Sequence, residues 1–386
     1  MTSIHLKTDF QQLRIAILNP WFLVGGGGSK VVSVFASLFP DADIFTLFYK
    51  RDKVPESIRT ETLHASFLQR VPFIDRLYRP LLPIHPLAVE TLDMRGYQIV
   101  ISCDASVMKG VLVDQGALHI CYCHTPTRYA WDLHRTFAEQ TSILTKPIFW
   151  LTSHYLRQWD FAAAQRVDHF IANSKYIAQR IHTYYRREST VIYPPVNTAA
   201  GYIADSRDDY YLTVGRLTHT KRVDLLIRAC NQLGRRLLVV GTGREEPHLR
   251  SLAGPTIEFA GRLPDATLAA IYANCRALLF AADEDFGIVP VEAQSFGRPV
   301  VAYGRGGVLE TVIAGDRSDV TGVLFPEQSV ASLMNGIQEF EAIEHRFDPV
   351  LIRAHAQRFD IAVFSAAIKE YLHNAYTRQQ QEGYCR

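Results

Sequence analysis

Short apolar runs alternate along almost the whole chain with longer stretches of helical periodicity. This is the pattern of a parallel α/β sheet whose strands are covered on both faces. In the first half the apolar runs predict strands over 14–19, 44–48, 98–103, 119–123, 169–172 and 191–193. Amphipathic spacing between them predicts helices, among them 29–39 and the long stretch 145–166. Around 194–202 (PPVNTAAGY) the periodicity lapses into Pro, Gly, Asn and small residues, a composition that suits a linker. A second series then starts afresh, with strands over 211–214, 237–240, 257–259, 277–280, 300–303 and 323–325, each followed by a helical stretch. The restart predicts two Rossmann-like halves. The tail 359–377 reads as an amphipathic helix with Val363, Phe364, Ala367, Ile368, Tyr371 and Leu372 on one face.

Bulk properties agree with this layout. A chain of 386 residues is too long for one core of ordinary size, and 48% hydrophobic with 21% charged residues excludes a disordered or fibrous protein. A net charge of +2 argues against a dedicated nucleic-acid binder. The six cysteines, Cys103, Cys121, Cys123, Cys230, Cys275 and Cys385, lack the paired spacing of a zinc site and read as buried free thiols of a reducing compartment. The first residues, MTSIHLKTDFQQLR, carry no apolar core of a secretory signal, and no run approaches the roughly 20 apolar residues that span a bilayer. The expectation is a cytoplasmic protein, soluble or peripheral on the inner face of a membrane.

The most informative segment for chemistry is Asp283-Glu-Asp-Phe-Gly-Ile-Val-Pro-Val-Glu292. An apolar strand runs into a short loop and a helix starts near Val289, with Pro290 tolerated in its first turn. The amides of Phe286, Gly287 and Ile288 would then form an anion cradle, and Gly287 would let a ligand come close to the backbone. Glu284 and Glu292 flank this cradle. Carboxylates accept hydrogen bonds from sugar and ribose hydroxyls but repel phosphate, so acids beside an anion cradle imply a polyhydroxy ligand carrying phosphate. Upstream, the strand 211–214 ends in Gly215-Arg216-Leu217, and Lys221 lies five residues beyond Arg216. Two cations over one loop at the carboxyl edge of a parallel sheet suit a diphosphate, each charge-assisted contact contributing roughly 1.5–3 kcal/mol.

GRLTHTK, VVGTG, FAGRLPD and EDFGIVPVEAQSFGRPVVAYGRGGVLETV, in this order, resemble the donor domain of glycosyltransferase family 4, over roughly 211–326. The Glu-x7-Glu element is similar to that of retaining GT-B transferases. The resemblance implies a GT-B fold, two Rossmann-like domains facing across a cleft with the C-terminal helix returning to the N-terminal domain. It places an acceptor domain over 1–196, joined by the helix 359–386, and a donor domain over 197–358. It implies that Arg216 and Lys221 neutralise the donor diphosphate, that Glu284 with the amides of Phe286, Gly287 and Ile288 holds the hexose and distal phosphate, and that Glu292 binds the ribose. Leu263, Pro264 and Asp265 fall where such enzymes seat the base. The pair Gly306-Gly307 with Glu310 matches the family without an assigned role.

In the first half, Val24-Gly-Gly-Gly-Gly-Ser29-Lys30 opens a helix after the first strand but is neither a P-loop nor a dinucleotide fingerprint. It resembles the family's N-terminal glycine loop, so Gly25, Gly26 and Gly27 become donor-phosphate candidates. The segment Cys121–Asp132 (CYCHTPTRYAWD) ends an apolar strand in His124. A histidine there is by itself more often structural, but the family carries one beside the reacting sugar, which makes His124 a candidate to hydrogen-bond the transferred hexose. Arg128 and Asp132 are candidates for acceptor contact, and Ser174 reads as a helix N-cap. The stretch 67–86 mixes Arg70, Arg76 and Arg79 with Phe73, Tyr78, Leu81 and Leu82, and suits an anionic membrane surface, a lipid-linked acceptor, or packing within the domain. Asp41-Ala-Asp43 and Asp283-Glu-Asp285 spell Asp-x-Asp, yet with Arg216 and Lys221 at hand no metal or other cofactor is expected.

The resemblance therefore implies transfer of a hexose from a nucleoside diphosphate sugar with retention of configuration, by front-face attack. CYCHTPTRYAWD is similar to the mannosyltransferases of bacterial exopolysaccharide and O-antigen assembly, which implies GDP-mannose as donor and a polyprenyl-diphosphate-linked oligosaccharide as acceptor. A UDP-sugar glucosyltransferase, a sugar-nucleotide epimerase, a phosphorylase and a non-catalytic sugar-nucleotide sensor are the competing readings. The pairing of Lys221 with Glu284 speaks against the sensor.

Overall fold

Both series of apolar runs form fully parallel sheets, and strand residues such as Ile15–Leu18 and Ala277–Leu279 are buried on both faces, as crossovers of the βαβ kind require. The computed structural model describes residues 10–23, 26–139 and 141–383. They divide into two units, one holding the residues up to Tyr193 with those from Ser365 onward, the other Pro194–Phe364.

The first unit contains β1 (Ile15–Phe22), β2 (Asp43–Tyr49), β3 (Leu63–Ala65), β4 (Ile99–Asp104), β5 (Leu118–Cys123), β6 (His169–Ala172) and β7 (Ser189–Val191), in the order β3-β2-β1-β4-β5-β6-β7. The second contains β8 (Tyr211–Val214), β9 (Leu237–Val240), β10 (Ile257–Gly261), β11 (Ala277–Phe280), β12 (Val300–Tyr303) and β13 (Gly322–Phe325), in the order β10-β9-β8-β11-β12-β13. Each sheet is thus wound outward from its first strand, reversing between β1 and β4 and again between β8 and β11. Such reversals open a crevice at the carboxyl ends of the strands, where α/β proteins bind ligands.

Several boundaries differ from the pattern-based expectation for clear reasons. β1 continues through Pro20 to Phe22 because Trp21 and Phe22 pair with Phe48 and Tyr49, while the Pro20 carbonyl accepts the Thr46 hydroxyl at 3.3 Å. β3 is a three-residue edge strand, too short to show alternation. β7 lies at 189–191 instead of 191–193, paired with Phe170, Ile171 and Ala172. The C-terminal helix runs Ile361–Glu382 and buries Phe364, Ile368, Leu372 and Ala375, whereas Val363, expected on that face, is exposed. Its Tyr371 ring meets His169 edge-on in the first unit. Ser174 caps the helix Lys175–Tyr185, its hydroxyl accepting the Ile177 amide at 3.1 Å. Among the described residues no helix is long and apolar enough to cross a membrane.

The core of the first unit encloses charge. Lys109, fully buried, donates from Nζ to Asp104 (2.9 Å), to Asp160 (2.5 Å) and to the Ser106 carbonyl (3.0 Å). Burial alone would depress its pKa, but the carboxylates of Asp104 and Asp160 hold it well above the ordinary lysine value. The acids are satisfied in turn. Asp104 accepts the Ser106 and Met108 amides, and Asp160, on the helix Lys146–Gln165, accepts the Thr127 hydroxyl, the Trp131 indole and the Tyr185 phenol. A buried cation removed from such a network leaves two carboxylates uncompensated. Lys109→Met should lower the unfolding free energy by about 3–5 kcal/mol. Urea titration would read this as an earlier midpoint, and an unshifted midpoint would contradict the account.

Candidate active site

All six strands of the second sheet are parallel, and four of the loops at its carboxyl edge, after β8, β9, β11 and β12, support one another. The loop after β8 holds Gly215, Arg216 and Leu217, then a 3-10 turn His219–Lys221, and Arg222 in the left-handed region before the helix Val223–Leu233. Lys221 therefore sits on a turn ahead of the helix. The loop after β9 supports this arrangement from the side: a Cβ on Gly241 would stand 1.9 Å from the Gly215 carbonyl oxygen, and one on Gly243 would stand 2.1 Å from that of Leu217. Only glycine allows this approach. The Leu217 amide donates to the Thr242 carbonyl at 3.0 Å.

The loop after β11 carries Asp283–Phe286. Its close contact is with the loop after β12, where Glu284 forms an isolated parallel bridge with Gly306 and the Gly307 amide donates to the Glu284 carbonyl at 2.8 Å. A Cβ on Gly307 would fall 2.2 Å from the Phe286 Cα. The Gly306-Gly307 pair thus has a structural task, letting the two loops touch along the backbone. Gly287 caps the helix Ile288–Ser295 in the left-handed region (φ 87°), so that helix starts one residue earlier than expected. Phe286 is buried against the Phe359 ring.

The ammonium of Lys221 and the carboxylate of Glu284 meet in an ion pair, although 63 residues separate them. Arg216 lines the same depression as Lys221, with Gly215, Phe280 and Ala282, and is exposed. Gln328 joins the two loops behind this pair. Its amide donates to the Ala281 carbonyl at 2.7 Å, and its oxygen accepts Arg222 at 3.1 Å. Nothing in the sequence pattern marks Gln328, because its value lies in two contacts distant along the chain. Glu292, half-buried one turn into the helix, accepts the Tyr272 phenol at 3.1 Å. Burial, reinforced by that carboxylate, pushes the Tyr272 pKa well up and keeps it a donor. Leu263 packs in the cluster containing Tyr272 and Val240, and Pro264 and Asp265 are exposed at the start of the helix Asp265–Asn274.

In the first unit Gly26 is the N-cap of the helix Gly27–Leu38, and Gly25 lies outside the described residues. His124 directly follows β5 and lies against that first turn: a Cβ on Gly28 would lie 3.7 Å from its Nε2. The Nε2 is buried, with no hydrogen-bond partner among the described residues. Burial pushes the His124 pKa down to about 4, against the opposing pull of Asp104. Asp132 is held at both carboxylate oxygens, by Arg180 (2.6 Å) and Arg128 (3.3 Å). The loop bearing His124 is further fixed by Thr127 and Trp131 on Asp160. The Asp-x-Asp acids are also employed: Asp43 accepts Tyr97 and contacts His64, and Asp283 pairs with Arg305.

Known proteins share the family motifs and the fold of this chain. The model of Glycosyltransferase Family 4 matches residues 25–200, and that of Glycosyl transferases group 1 matches residues 200–357. The chain is 25% identical to Alpha-1,3/1,6-mannosyltransferase ALG2 of Saccharomyces cerevisiae over 89% of its own length and 82% of that protein. It is 36% identical to the D-inositol 3-phosphate glycosyltransferase of Mycobacteroides abscessus, over 33% of this chain and 30% of the other. In fold it is similar to Anabaena Alr3699/HepE, solved in complex with UDP and glucose (TM-score 0.67, 18% identity, 93% and 99% of the two chains). It is likewise similar to sucrose-phosphate synthase from Thermosynechococcus elongatus (TM-score 0.71, 17% identity, 95% and 100%). Two Rossmann-like lobes together with matches to these two transferase families identify a transferase that uses a nucleotide sugar. The chain is a glycosyltransferase of the GT-B fold, matching the family 4 and group 1 models in its successive halves and related to mannosyltransferases.

The histidines of the first unit give a pH signature. His85, enclosed by the Trp21 and Phe48 rings, is also driven by burial to about 4, against an ordinary value of 6.5. The unfolded chain therefore takes up these protons first. The stabilisation is complete above 6.5 and is lost as pH falls towards 4. The thermal midpoint of this unit should rise with pH across that window, and His85→Leu should flatten the rise. An equal slope in the variant would assign it elsewhere.

Proposed function

We propose that the chain is a retaining α-mannosyltransferase. It would move mannose from GDP-mannose to a polyprenyl-diphosphate-linked oligosaccharide, in exopolysaccharide or O-antigen assembly at the cytoplasmic face of a membrane. The observation that carries the donor half of this reading is the meeting of Lys221 and Glu284 at the strand-order reversal, with Arg216 on the same depression. A cation and an acid side by side suit a ligand that has phosphate at one point and hydroxyls at the next. The mannose assignment is supported by the mannosyltransferase relative that spans most of the chain and by the CYCHTPTRYAWD segment.

In this reading Arg216 and Lys221 bind the diphosphate and take up the charge that grows on it as the glycosidic bond breaks. Glu284 accepts from the mannose hydroxyls, Glu292 from the ribose, and Leu263, Pro264 and Asp265 border the base. The amides of Phe286, Gly287 and Ile288 and those of the loop Gly25–Gly27 face phosphate oxygens. His124, neutral across the physiological range, offers its ring nitrogen to a hexose hydroxyl. The acceptor hydroxyl attacks the anomeric carbon on the face that the diphosphate leaves, and the departing oxygen takes its proton. Asp132, with both oxygens engaged, serves the acceptor side by fixing the loop that carries Arg128 and His124. The two cations stand in for a divalent ion.

Lys221→Ala and Glu284→Ala should each lower kcat by ~10²-fold or more, the scale of one lost transition-state contact. Rates within a few-fold of wild type for both would remove these roles. EDTA should leave the wild-type rate unchanged. Radiolabelled GDP-mannose and UDP-glucose, offered with a membrane lipid extract, test the donor and acceptor. Label in lipid from UDP-glucose alone, or isomerised donor without acceptor, would replace the mannosyltransferase reading.

A further inference from the structure

The helix Lys146–Gln165 is apolar on two opposite faces. Its inner face buries Leu156, Ala163 and Ala164 together with Ser153 and Asp160. Its outer face, where a surface helix ordinarily carries polar residues, presents Ile148 (66% exposed), Leu151 (73%) and Tyr155, with Leu144 (89%) just ahead of it. The spacing 148, 151, 155 keeps these three helical residues within one narrow stripe. Exposed apolar surface of this continuity marks an interaction site.

The stretch 67–86 is its neighbour. The turn Leu82–Ile84 packs against the helix, and Trp159 joins the same core cluster as Ile74 and Leu81. Part of this stretch stays outside the core: Leu68 and Ile74 are buried, but Phe73 is 72% exposed, and Leu77 and Ile84, with Leu87 just beyond, are also open to solvent. The charges around both stretches are mainly positive. Arg70, Arg76, Arg79 and Arg135 are exposed and Lys146 half-exposed, against Glu139 and an Asp75 that Lys50 already holds at 2.7 Å. A symmetric contact between two copies would set this cationic surface against itself. An anionic bilayer complements it.

We infer that this flank of the first unit docks on a membrane containing anionic phospholipid, with Ile148, Leu151 and Phe73 entering the interface and the arginines meeting headgroup phosphates. The inference deepens the lipid-linked acceptor reading and rests on it for its purpose, since a docked enzyme meets its acceptor within the membrane plane.

The full-length protein is floated with phosphatidylcholine vesicles, with and without phosphatidylglycerol. Binding should require phosphatidylglycerol and weaken with salt. The double variant Ile148→Ser/Leu151→Ser should partition on the order of tenfold less, and Arg76→Gln and Arg79→Gln about fivefold less each. Phe73→Ser, outside the helix, provides an independent variant should the helix pair fold poorly. Transfer to a short-chain, water-soluble acceptor should be unaffected in the folded variants. Absence of vesicle binding, variants that bind as wild type, or a dimer in sedimentation that Ile148→Ser/Leu151→Ser dissolves would each overturn the inference. Vesicle binding without transfer to a polyprenyl acceptor would retain it and remove the acceptor reading instead.

Discussion

Two side chains of opposite charge, Lys221 and Glu284, are brought together because β8 and β11 are adjacent parallel strands at the strand-order reversal, so the loops that follow them leave the sheet side by side. The arrangement at the carboxyl edge follows from that reversal. The loop after β8 contributes cations, the loop after β11 contributes an acid and a helix start, and the strand order sets the distance between them. A sheet wound in one direction only would carry each loop over its neighbour and leave no crevice for either.

Proximity alone does not make such loops rigid. Glycines 241, 243, 306 and 307 let supporting backbone approach to distances that any Cβ would forbid, and Gln328 ties the two principal loops from behind. The first unit meets the same need by a different device. Its loop from His124 to Asp132 is anchored on Asp160, whose charge is balanced by Lys109 inside the core. A charged core is costly unless every lone pair and proton is matched, and here each acid receives several donors. The network fixes the loop, while burial keeps its histidine neutral against the pull of Asp104.

The two sheets were legible in the sequence because parallel strands buried on both faces leave uninterrupted apolar runs, and most of the observed strands coincide with such runs. Edges were less legible: β3 and β7 are three residues long and gain their pairing from neighbours instead of from their own pattern. The loops bearing Arg216, Lys221 and Glu284, and the helix start ahead of Glu292, could be located from local pattern, since an apolar run ending in glycine and charged residues shows itself within ten residues. Lys109, Asp160 and Gln328 could not. Their partners are 3 to 106 residues away, and a lysine or an aspartate on an amphipathic stretch reads as solvated surface until the packing is known.

The brevity of β3 and β7 has a consequence for the molecule in a crowded cell. Unpaired strand edges are templates on which other chains polymerise. A seven-stranded sheet that tapers to three residues on each side offers a template too small to propagate. The first unit can therefore expose an oily helix without also exposing a backbone ladder, and self-association by strand addition is denied to it.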